Sequence, residues 1–252
     1  MKKMAFLYFI FHILLAVSNF SFAKPPPSFV YRVDSRGHEE IFKNGFHAWG
    51  RNYNIVAHVN GATCSTNNGS TSGFISTAAD FASARAIADE HLRQGRNAFL
   101  YTIRADNRFY SGPASIEHLQ RYNPLSPLSI MSLEMARRAD EWDAIDVIPP
   151  ENIREVIEYR VNGGQAEYSN PRYLNVNTTG NPEPYTDNLE EVLQFYNFPV
   201  RFPGGLSARL SSCFSSCFGS SSLSMARHNN TACMGQPEKI INFKDLIMGA
   251  IL

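Results

Sequence analysis

The chain has no excess of charge of either sign. Lysine and arginine together number 23, aspartate and glutamate also number 23, and the formal net charge at neutral pH is zero. No stretch of the sequence is dense in basic residues. Proteins that bind nucleic acid need a basic surface to neutralise phosphates, so we expect no nucleic-acid partner.

Long apolar runs are absent after the first twenty residues. Two lysines precede an apolar run over residues 5–17, and Ser21-Phe22-Ala23 follows as a small-x-small cleavage site. The run is shorter than the ~20 residues that a spanning helix requires. We therefore predict a signal peptide over residues 1–23, export, and no membrane span. A membrane anchor at residues 5–17 is the alternative.

Cysteine is scarce, with four residues: Cys64, Cys213, Cys217 and Cys233. In an exported protein an even number of cysteines predicts disulfides, and four cysteines allow three pairings. The three downstream cysteines with His228 form an alternative, a loose zinc site of irregular spacing. We expect disulfides here, no metal, and no permanently bound cofactor.

Several motifs of known enzyme classes are missing. The sequence has no nucleophile-elbow glycine pattern, no zinc-protease histidine pair and no phosphate-binding glycine loop. These absences exclude the commonest hydrolases, metalloproteases and nucleotide-binding proteins, which carry such motifs.

The pattern of elements predicts an α+β fold. Period-two alternation and β-forming residues predict strands at 29–34, 74–77, 98–105 and 154–161. Helical periodicity predicts helices over about 39–46, 78–94, 114–122 and 129–139. We expect one domain over residues 24–187 and a C-terminal segment over 188–252, with a helix at 188–196 and an apolar tail at 239–252.

Two polar stretches are predicted to lack regular structure. Residues 50–73 are rich in Asn, Gly, Ser and Thr, and we expect a long loop there. Residues 162–188 contain few aliphatic side chains, and we expect them to wrap over a surface. In the helix after the first of these stretches, Phe81 begins the predicted apolar face, and Thr77 with Asp80 has capping-box spacing.

Arg32 is a cation inside an otherwise apolar strand, with Asp34 two residues later on the same face. A local ion pair on an edge strand is one interpretation. The other is a guanidinium held in a cleft by a carboxylate and presented to a phosphate, for which its fork geometry is suited.

Glu141 stands in an acidic cluster with Asp140 and Asp143 around Trp142. From composition alone, such a cluster is typical of a solvated turn. His58, one of seven histidines, lies in a polar stretch and has no distinguishing pattern. The residues by themselves therefore indicate a secreted α+β domain with a strand arginine and several carboxylates.

Six segments in register carry a resemblance to a known family. The chain resembles the catalytic subunits of pertussis-like toxins, which are mono-ADP-ribosyltransferases. The segments are FVYRVDSR (29–36), NGFHAWGRN (44–52), FIST (74–77), RADNRFY (104–110), IPPENIR (148–154) and EYSNPRY (167–173). The resemblance implies the ADP-ribosyltransferase fold, with mixed or antiparallel strands and short helices around an NAD⁺ cleft.

The resemblance also implies roles for individual residues near the start of the chain. Arg32, with Asp34 beside it, matches the strand arginine that contacts NAD⁺ and braces the cleft. Trp49 is expected near the nicotinamide end. His58 matches a histidine that assists transfer.

Further roles fall on two later segments. Ser76 and Thr77 match two positions of a Ser-Thr-Ser motif that supports the NAD⁺ site. Glu141, seven residues before Ile148, matches the catalytic glutamate. Ala139 departs from the family pattern, in which many members carry Gln or Glu, so the resemblance does not assign the acceptor side chain.

The cysteines and partners are likewise interpreted through the resemblance. It implies a disulfide from Cys64 to a distant partner, taken as Cys213, whereas Cys217 and Cys233 have no evident counterparts and pair with each other or with another chain. The implied partners are NAD⁺ as substrate, a host G protein α subunit as acceptor, and a pentamer of receptor-binding B subunits that holds the tail. The tail's alternative is packing against its own domain.

The resemblance predicts a secreted toxin subunit that acts in the host cytosol and transfers ADP-ribose from NAD⁺ to a host protein. Two other functions remain open at this point. The same cleft with water as acceptor would make an NAD⁺ glycohydrolase, and a non-enzymatic adaptor would keep the fold without the chemistry.

Overall fold

The computed structural model describes residues 24–59, 63, 70–122 and 127–186. The signal peptide, all four cysteines, the helix at 188–196 and the apolar tail were predicted for residues outside these ranges. In the described part of the chain, no helix is long and apolar enough to cross a bilayer.

A seven-stranded sheet forms the centre of the described domain. Its strands are β1 (Phe29–Asp34), β3 (Phe74–Ala78), β4 (Ala98–Arg104), β5 (Phe109–Ser111), β6 (Glu141–Ile145), β8 (Ile153–Tyr159) and β9 (Gln165–Ser169). They pair antiparallel throughout, in the order β5-β6-β3-β1-β4-β8-β9. A second sheet pairs β2 (Phe46–His47) with β7 (Val147–Ile148).

Five α-helices surround these sheets among the described residues. They are α1 (His38–Asn44), α2 (Ile55–Val59), α3 (Phe81–Arg93), α4 (Gly112–Gln120) and α5 (Pro127–Ala139). A 3₁₀ turn covers Pro150–Asn152. Antiparallel strands with short helices confirm the predicted α+β class.

The sheet opens between β1 and β3. These two strands share one register pair, Tyr31 with Ala78, whereas β1 and β4 pair over six residues. The guanidinium of Arg32 reaches across the opening and donates from Nη1 to the carbonyl oxygen of Ser76 over 2.8 Å. A buried carbonyl without a partner strand needs such a donor, so Arg32 replaces part of the missing ladder.

The predicted strands and their order along the chain are confirmed, but one polar stretch contains more structure than its composition predicts. Residues 55–59 form α2 inside the segment expected to be a loop. Asn54 supplies the cap, because its side-chain oxygen accepts a hydrogen bond from the Ala57 amide over 2.9 Å. Ile55, Val56 and Val59 are buried, and this burial stabilises a helix too short to form alone.

The second polar stretch is also partly regular. Residues 165–169 form β9, which pairs with β8 through a turn that contains Gly163 at φ 84°. A positive φ suits glycine because it has no Cβ. The segment from 170 to 186 then runs over the sheet as predicted, without a helix or strand of its own.

The predicted capping box at the start of α3 is wrong. Asp80 is the N-cap, and its carboxylate accepts from the amide of Ser83 over 2.7 Å. Thr77 instead donates from its hydroxyl to the carbonyl of Trp142 on β6. Phe81, predicted to be buried, is 41% exposed at the first residue of α3, whereas Ala84 and Ala88 further along the helix are buried.

Candidate active site

Two arginines and one aspartate form a charged group at the end of β1. Asp34 is buried and accepts from Arg36 Nε over 2.9 Å and from Arg32 Nη2 over 3.4 Å. Burial alone would raise the pKa of Asp34, but the hydrogen bonds from Arg36 and the charge of Arg32 outweigh it and lower the pKa. Asp34 is therefore a fixed anion that orients both guanidiniums.

Arg32 is almost fully enclosed, because β1 lies in the middle of the sheet. Its side chain is 5% exposed, and burial lowers its pKa, although Asp34 opposes that effect. The edge-strand interpretation of Arg32 is wrong. Its fork joins β1 to the carbonyl of Ser76 on β3, so the arginine braces the opening in the sheet.

His58 is buried on α2 and is held through both ring nitrogens. The hydroxyl of Ser72 lies 2.7 Å from His58 Nδ1 and accepts from the amide of Phe74 over 3.1 Å. His58 Nε2 faces Asp143 Oδ1 at 3.1 Å and Ser76 Oγ at 2.7 Å. Because a carboxylate only accepts, we place the hydrogen of His58 on Nε2, and Nδ1 then accepts from Ser72. This tautomer is assigned from the hydrogen-bond network.

Glu141 is the first residue of β6 and is 1% exposed, so the solvated-turn interpretation is wrong. Its carboxyl group is hydrogen-bonded by Ser76, which also contacts His58. Burial raises the pKa of Glu141 well above its usual range, and the adjacent Asp143 adds to this shift while Ser76 opposes it. The pKa of a carboxyl group in this setting depends strongly on the groups that hydrogen-bond to it.

A cleft opens beside Arg32 and His58. Its lining includes Arg32, Arg36, Phe46, His47, Trp49, His58, Ser70, Ser72, Phe74 and Ile75. Arg36 lies over the rings of Phe46 at 5.5 Å and Trp49 at 5.8 Å. Trp49 is 41% exposed, so an apolar wall and a partly exposed cation face the same space.

The wall with Trp49 is positioned by a close backbone approach. Gly50 donates to the carbonyl of Ser72 over 2.8 Å, and Asn52 donates to the carbonyl of Thr71 over 2.9 Å. An ideal Cβ on Gly50 would lie 2.2 Å from the Thr71 carbonyl oxygen, so only glycine fits there. The same contact places Ser72 against His58.

The structure links four of the predicted site residues. Ser76 joins Arg32, His58 and Glu141, since its carbonyl accepts from the arginine and its hydroxyl contacts the other two. Trp49 lines the same cleft as Arg32 and His58. Asp34 orients the arginines behind the cleft wall.

One predicted residue has a different place. The hydroxyl of Thr77 bonds to a backbone carbonyl of the neighbouring strand and is fully buried, so Thr77 secures the sheet beneath the site.

The sequence interpretation missed three residues of the site: Arg36, Ser72 and Asp143. Arg36 is the more exposed of the two arginines, with 19% of its side chain accessible. Asp143 stands two residues after Glu141, and residues two apart share one face of a strand. Recognising 141–145 as a strand, from the alternation of Trp142 and Ala144 with polar residues, would have identified it.

Comparison with known proteins places this geometry in a family. The family profile described as "Pertussis toxin, subunit 1" matches residues 25–124. Pertussis toxin subunit 1 of Bordetella pertussis is 36% identical over 195 residues, which cover 70% of this chain and 72% of the relative. The chain belongs to the pertussis toxin subunit 1 family.

Other members and solved structures agree with this assignment. The homologue of pertussis toxin subunit 1 in Bordetella bronchiseptica is 35% identical over 195 residues, covering 70% of this chain and 72% of the relative. The solved structure named EcPltA is 33% identical, with a TM-score of 0.54 over 65% of this chain and 97% of that one. Full-length CARDS toxin is 28% identical, with a TM-score of 0.53 over 65% of this chain and 32% of that one. The ADP-ribosylating toxin CARDS comes from Mycoplasma pneumoniae. The fold of the pertussis toxin subunit 1 family is therefore that of ADP-ribosylating toxins.

Proposed function

We propose that this chain is the catalytic subunit of an exported toxin and that it transfers ADP-ribose from NAD⁺ to a host protein. The observation that carries the proposal is the group built around Ser76, in which Arg32, His58 and Glu141 come from three separate elements to one site. Membership of the pertussis toxin subunit 1 family supports the same reaction.

The chemistry requires a negative group beside the ribose. Cleavage of the bond between nicotinamide and ribose develops positive charge on the sugar. Glu141, as a carboxylate bonded to a ribose hydroxyl, stabilises that charge as it forms. Nicotinamide leaves as a neutral molecule from a cationic ring, so no second acid has to protonate it.

The remaining residues bind and orient the substrate. Arg36 offers a guanidinium to the pyrophosphate from the cleft wall, where Asp34 orients it, while Arg32 holds β1 and β3 together behind it. Trp49 and Phe46 provide the apolar surface against which a nicotinamide ring packs. His58 holds Ser76 and Asp143 in their positions beside Glu141.

The resemblance to the family supports the finer parts of the proposal. We propose a host G protein α subunit as acceptor, a pentamer of B subunits as delivery partner, a cleaved signal peptide over 1–23, and a disulfide between Cys64 and Cys213. In this proposal the enzyme reaches the host cytosol after export.

A single assay tests the transfer reaction. Purified enzyme is incubated with host-cell lysate and NAD⁺ labelled in the adenylate, in parallel with Glu141→Gln and with Glu117→Gln, whose carboxylate lies on the exposed side of α4. We expect a labelled protein band with the wild type and with Glu117→Gln, and a loss of at least ~100-fold with Glu141→Gln. Release of free ADP-ribose without any labelled protein would establish the glycohydrolase instead, and full labelling by Glu141→Gln would remove Glu141 from the mechanism.

A further inference from the structure

Asp143 belongs to the site but has no part in the proposed transfer reaction. It faces Glu141 along β6, and one donor atom from each of His58, Glu141 and Asp143 lies within 4.8 Å of the other two. All three side chains are buried. Two anionic carboxylates at this distance, away from water, repel each other strongly.

One oxygen atom of each carboxyl group has no hydrogen-bond partner among the described residues. Asp143 Oδ1 accepts from His58, and Ser76 bonds to Glu141. The two oxygen atoms without a partner in the described part of the chain are Glu141 Oε2 and Asp143 Oδ2. A proton held between the carboxyl groups would reduce their charge to one and provide a donor for an acceptor that otherwise lacks one.

The surroundings favour the negative charge on Asp143 within such a pair. His58 donates to Asp143 from Nε2, and the first turn of α4 packs against it, with an ideal Cβ of Gly112 3.2 Å from Asp143 Oδ2. The amino end of a helix stabilises an anion. Tyr110 on β5 and Ser76 on β3 lie directly opposite Asp143 in the sheet, so their side chains share its face. Arg32 bonds to the backbone carbonyl of Ser76.

We propose that Asp143 is a positioning residue that shares one proton with Glu141, and that substrate binding moves this proton onto Asp143 and the negative charge onto Glu141. The step is an internal transfer. The O–H bond on Glu141 breaks, an O–H bond forms on Asp143, and the pair keeps one proton and one charge. Glu141 then accepts a hydrogen bond from the ribose hydroxyl.

This inference rests on the proposed function, since it assigns a partner to the proposed catalytic glutamate. The reactive form carries one proton and one charge, so its acid limit is the pH at which a second proton neutralises the pair. Sharing the proton stabilises this single charge, whereas without Asp143 the buried Glu141 has to ionise alone. Burial and Asp143 together raise the pKa of Glu141, at which the shared proton is lost, so Asp143→Asn lowers that pKa.

The test compares the pH dependence of kcat/KM for NAD⁺ cleavage in the wild type, Asp143→Asn and Glu117→Gln. Glu117→Gln is the matched control, because it removes one carboxylate from the surface. For Asp143→Asn we expect the acid limb to move to higher pH by about one unit or more, because Glu141 must then ionise alone in its buried site. Glu117→Gln should follow the wild type. A profile of Asp143→Asn that is scaled down without moving indicates a purely structural role, and an acid limb that moves to lower pH means that the fully ionised pair reacts; either result overturns the proposal.

A second measurement does not depend on activity, and its wild-type arm does not depend on the folding of Asp143→Asn. The ¹³C signal of the Glu141 carboxyl, identified by its absence in Glu141→Gln, is followed through a pH titration of the wild type. We expect its midpoint well above the usual range for glutamate and, in Asp143→Asn, displaced downwards. An ordinary midpoint in the wild type overturns the shared proton.

Controls separate this inference from the proposed function. If Glu141→Gln cleaves NAD⁺ normally, the proposed function fails; if Glu141→Gln is inactive but the profile of Asp143→Asn does not move, only the shared proton fails. Micromolar Zn²⁺ and a chelator are added in separate titrations. A raised Glu141 midpoint that appears only when the chelator is present would mean that a cation, not a proton, joins the carboxyl groups in the purified enzyme, and would overturn the proposal.

Discussion

At the scale of single residues, the site depends on one guanidinium whose two ends hold different strands. Arg32 donates to the Ser76 carbonyl from Nη1 and approaches Asp34 from Nη2. A lysine ammonium keeps the charge but cannot reproduce both bonds in one plane.

We expect Arg32→Lys to lower kcat/KM by about 100-fold and the free energy of unfolding by about 1–3 kcal/mol, because the Ser76 carbonyl loses its donor. Steady-state kinetics and urea denaturation measure the two effects. Arg85→Lys, at a side chain that is 38% exposed on α3, is the matched control. Wild-type kinetics in Arg32→Lys would contradict the bracing role.

His91 gives the fold a second, independent dependence on pH. Burial, aided by the charge of Arg96, lowers the pKa of His91 from 6.5 to about 4. Between these values the unfolded chain binds more protons than the folded chain, so stability is lost as pH falls from 6.5 towards 4. Glu141 acts in the opposite direction, because its raised pKa means that stability is lost as pH rises above its ordinary value.

We therefore expect His91→Gln to reduce acid destabilisation. The difference between its unfolding free energies at pH 6.5 and pH 4.5 should be smaller than in the wild type by about 2 kcal/mol, since glutamine does not titrate in this window. Urea denaturation at several pH values measures it. Parallel curves for the two proteins would show that His91 is not the titrating group.

At the scale of elements, the cleft wall depends on the contact between the segment after Trp49 and the segment before β3. Gly50 allows the backbone to approach Thr71 to within a distance that no side chain tolerates. This contact brings Ser72 to His58 and holds the aromatic wall opposite the arginines.

Gly50→Ala should separate these two segments. We expect a loss of about 2 kcal/mol in stability and a clear rise in KM for NAD⁺, because the added Cβ meets backbone atoms and overpacking of this kind is costly. Gly37→Ala serves as the control, since its Cβ would meet only the Phe99 ring at 3.7 Å. Unchanged KM in Gly50→Ala would show that the wall does not touch the substrate.

Elements were predictable from the sequence wherever the hydrophobic period was strong. β1, β4 and β8 follow from alternation, and α4 and α5 from their periodicity. Helix α2 was not predictable from the sequence, because five residues carry little periodic signal. Its stability comes from burial against other elements.

The site was predictable in a different way. The positions of Arg32 and Glu141 were assigned by resemblance, whereas Asp143 was overlooked because an acidic cluster is usually exposed. Its burial results from the pairing of β6 between β3 and β5, which local composition does not encode.

At the scale of the whole molecule, the segment over residues 170–186 ties the ends of the domain together. Gly180 donates to the carbonyl of Pro27, and Asn181 donates to the carbonyl of Phe109. An ideal Cβ on Gly180 would lie 2.5 Å from the ring of Trp142, the residue next to Glu141. The segment therefore packs directly behind the strand that carries the proposed catalytic group.

Gly180→Val should lift this segment off Trp142. In a Trp49→Phe background, where Trp142 is the one tryptophan left, we expect a red-shifted emission and a stability loss of about 1–3 kcal/mol. Fluorescence during urea titration measures both. An unshifted emission maximum would show that the segment does not shield the ring.

The order of strands in the sheet has a consequence for when the protein becomes capable of reacting. Arg32 lies on β1, near the start of the described chain, while Glu141 lies on β6, which takes its place between β5 and β3. A nascent polypeptide therefore lacks the complete group around Ser76 until residue 145 has emerged and β6 has inserted between strands made earlier. Chains that end before β6 hold Arg32 and His58 without the buried carboxyl pair, so they lack the proposed chemistry.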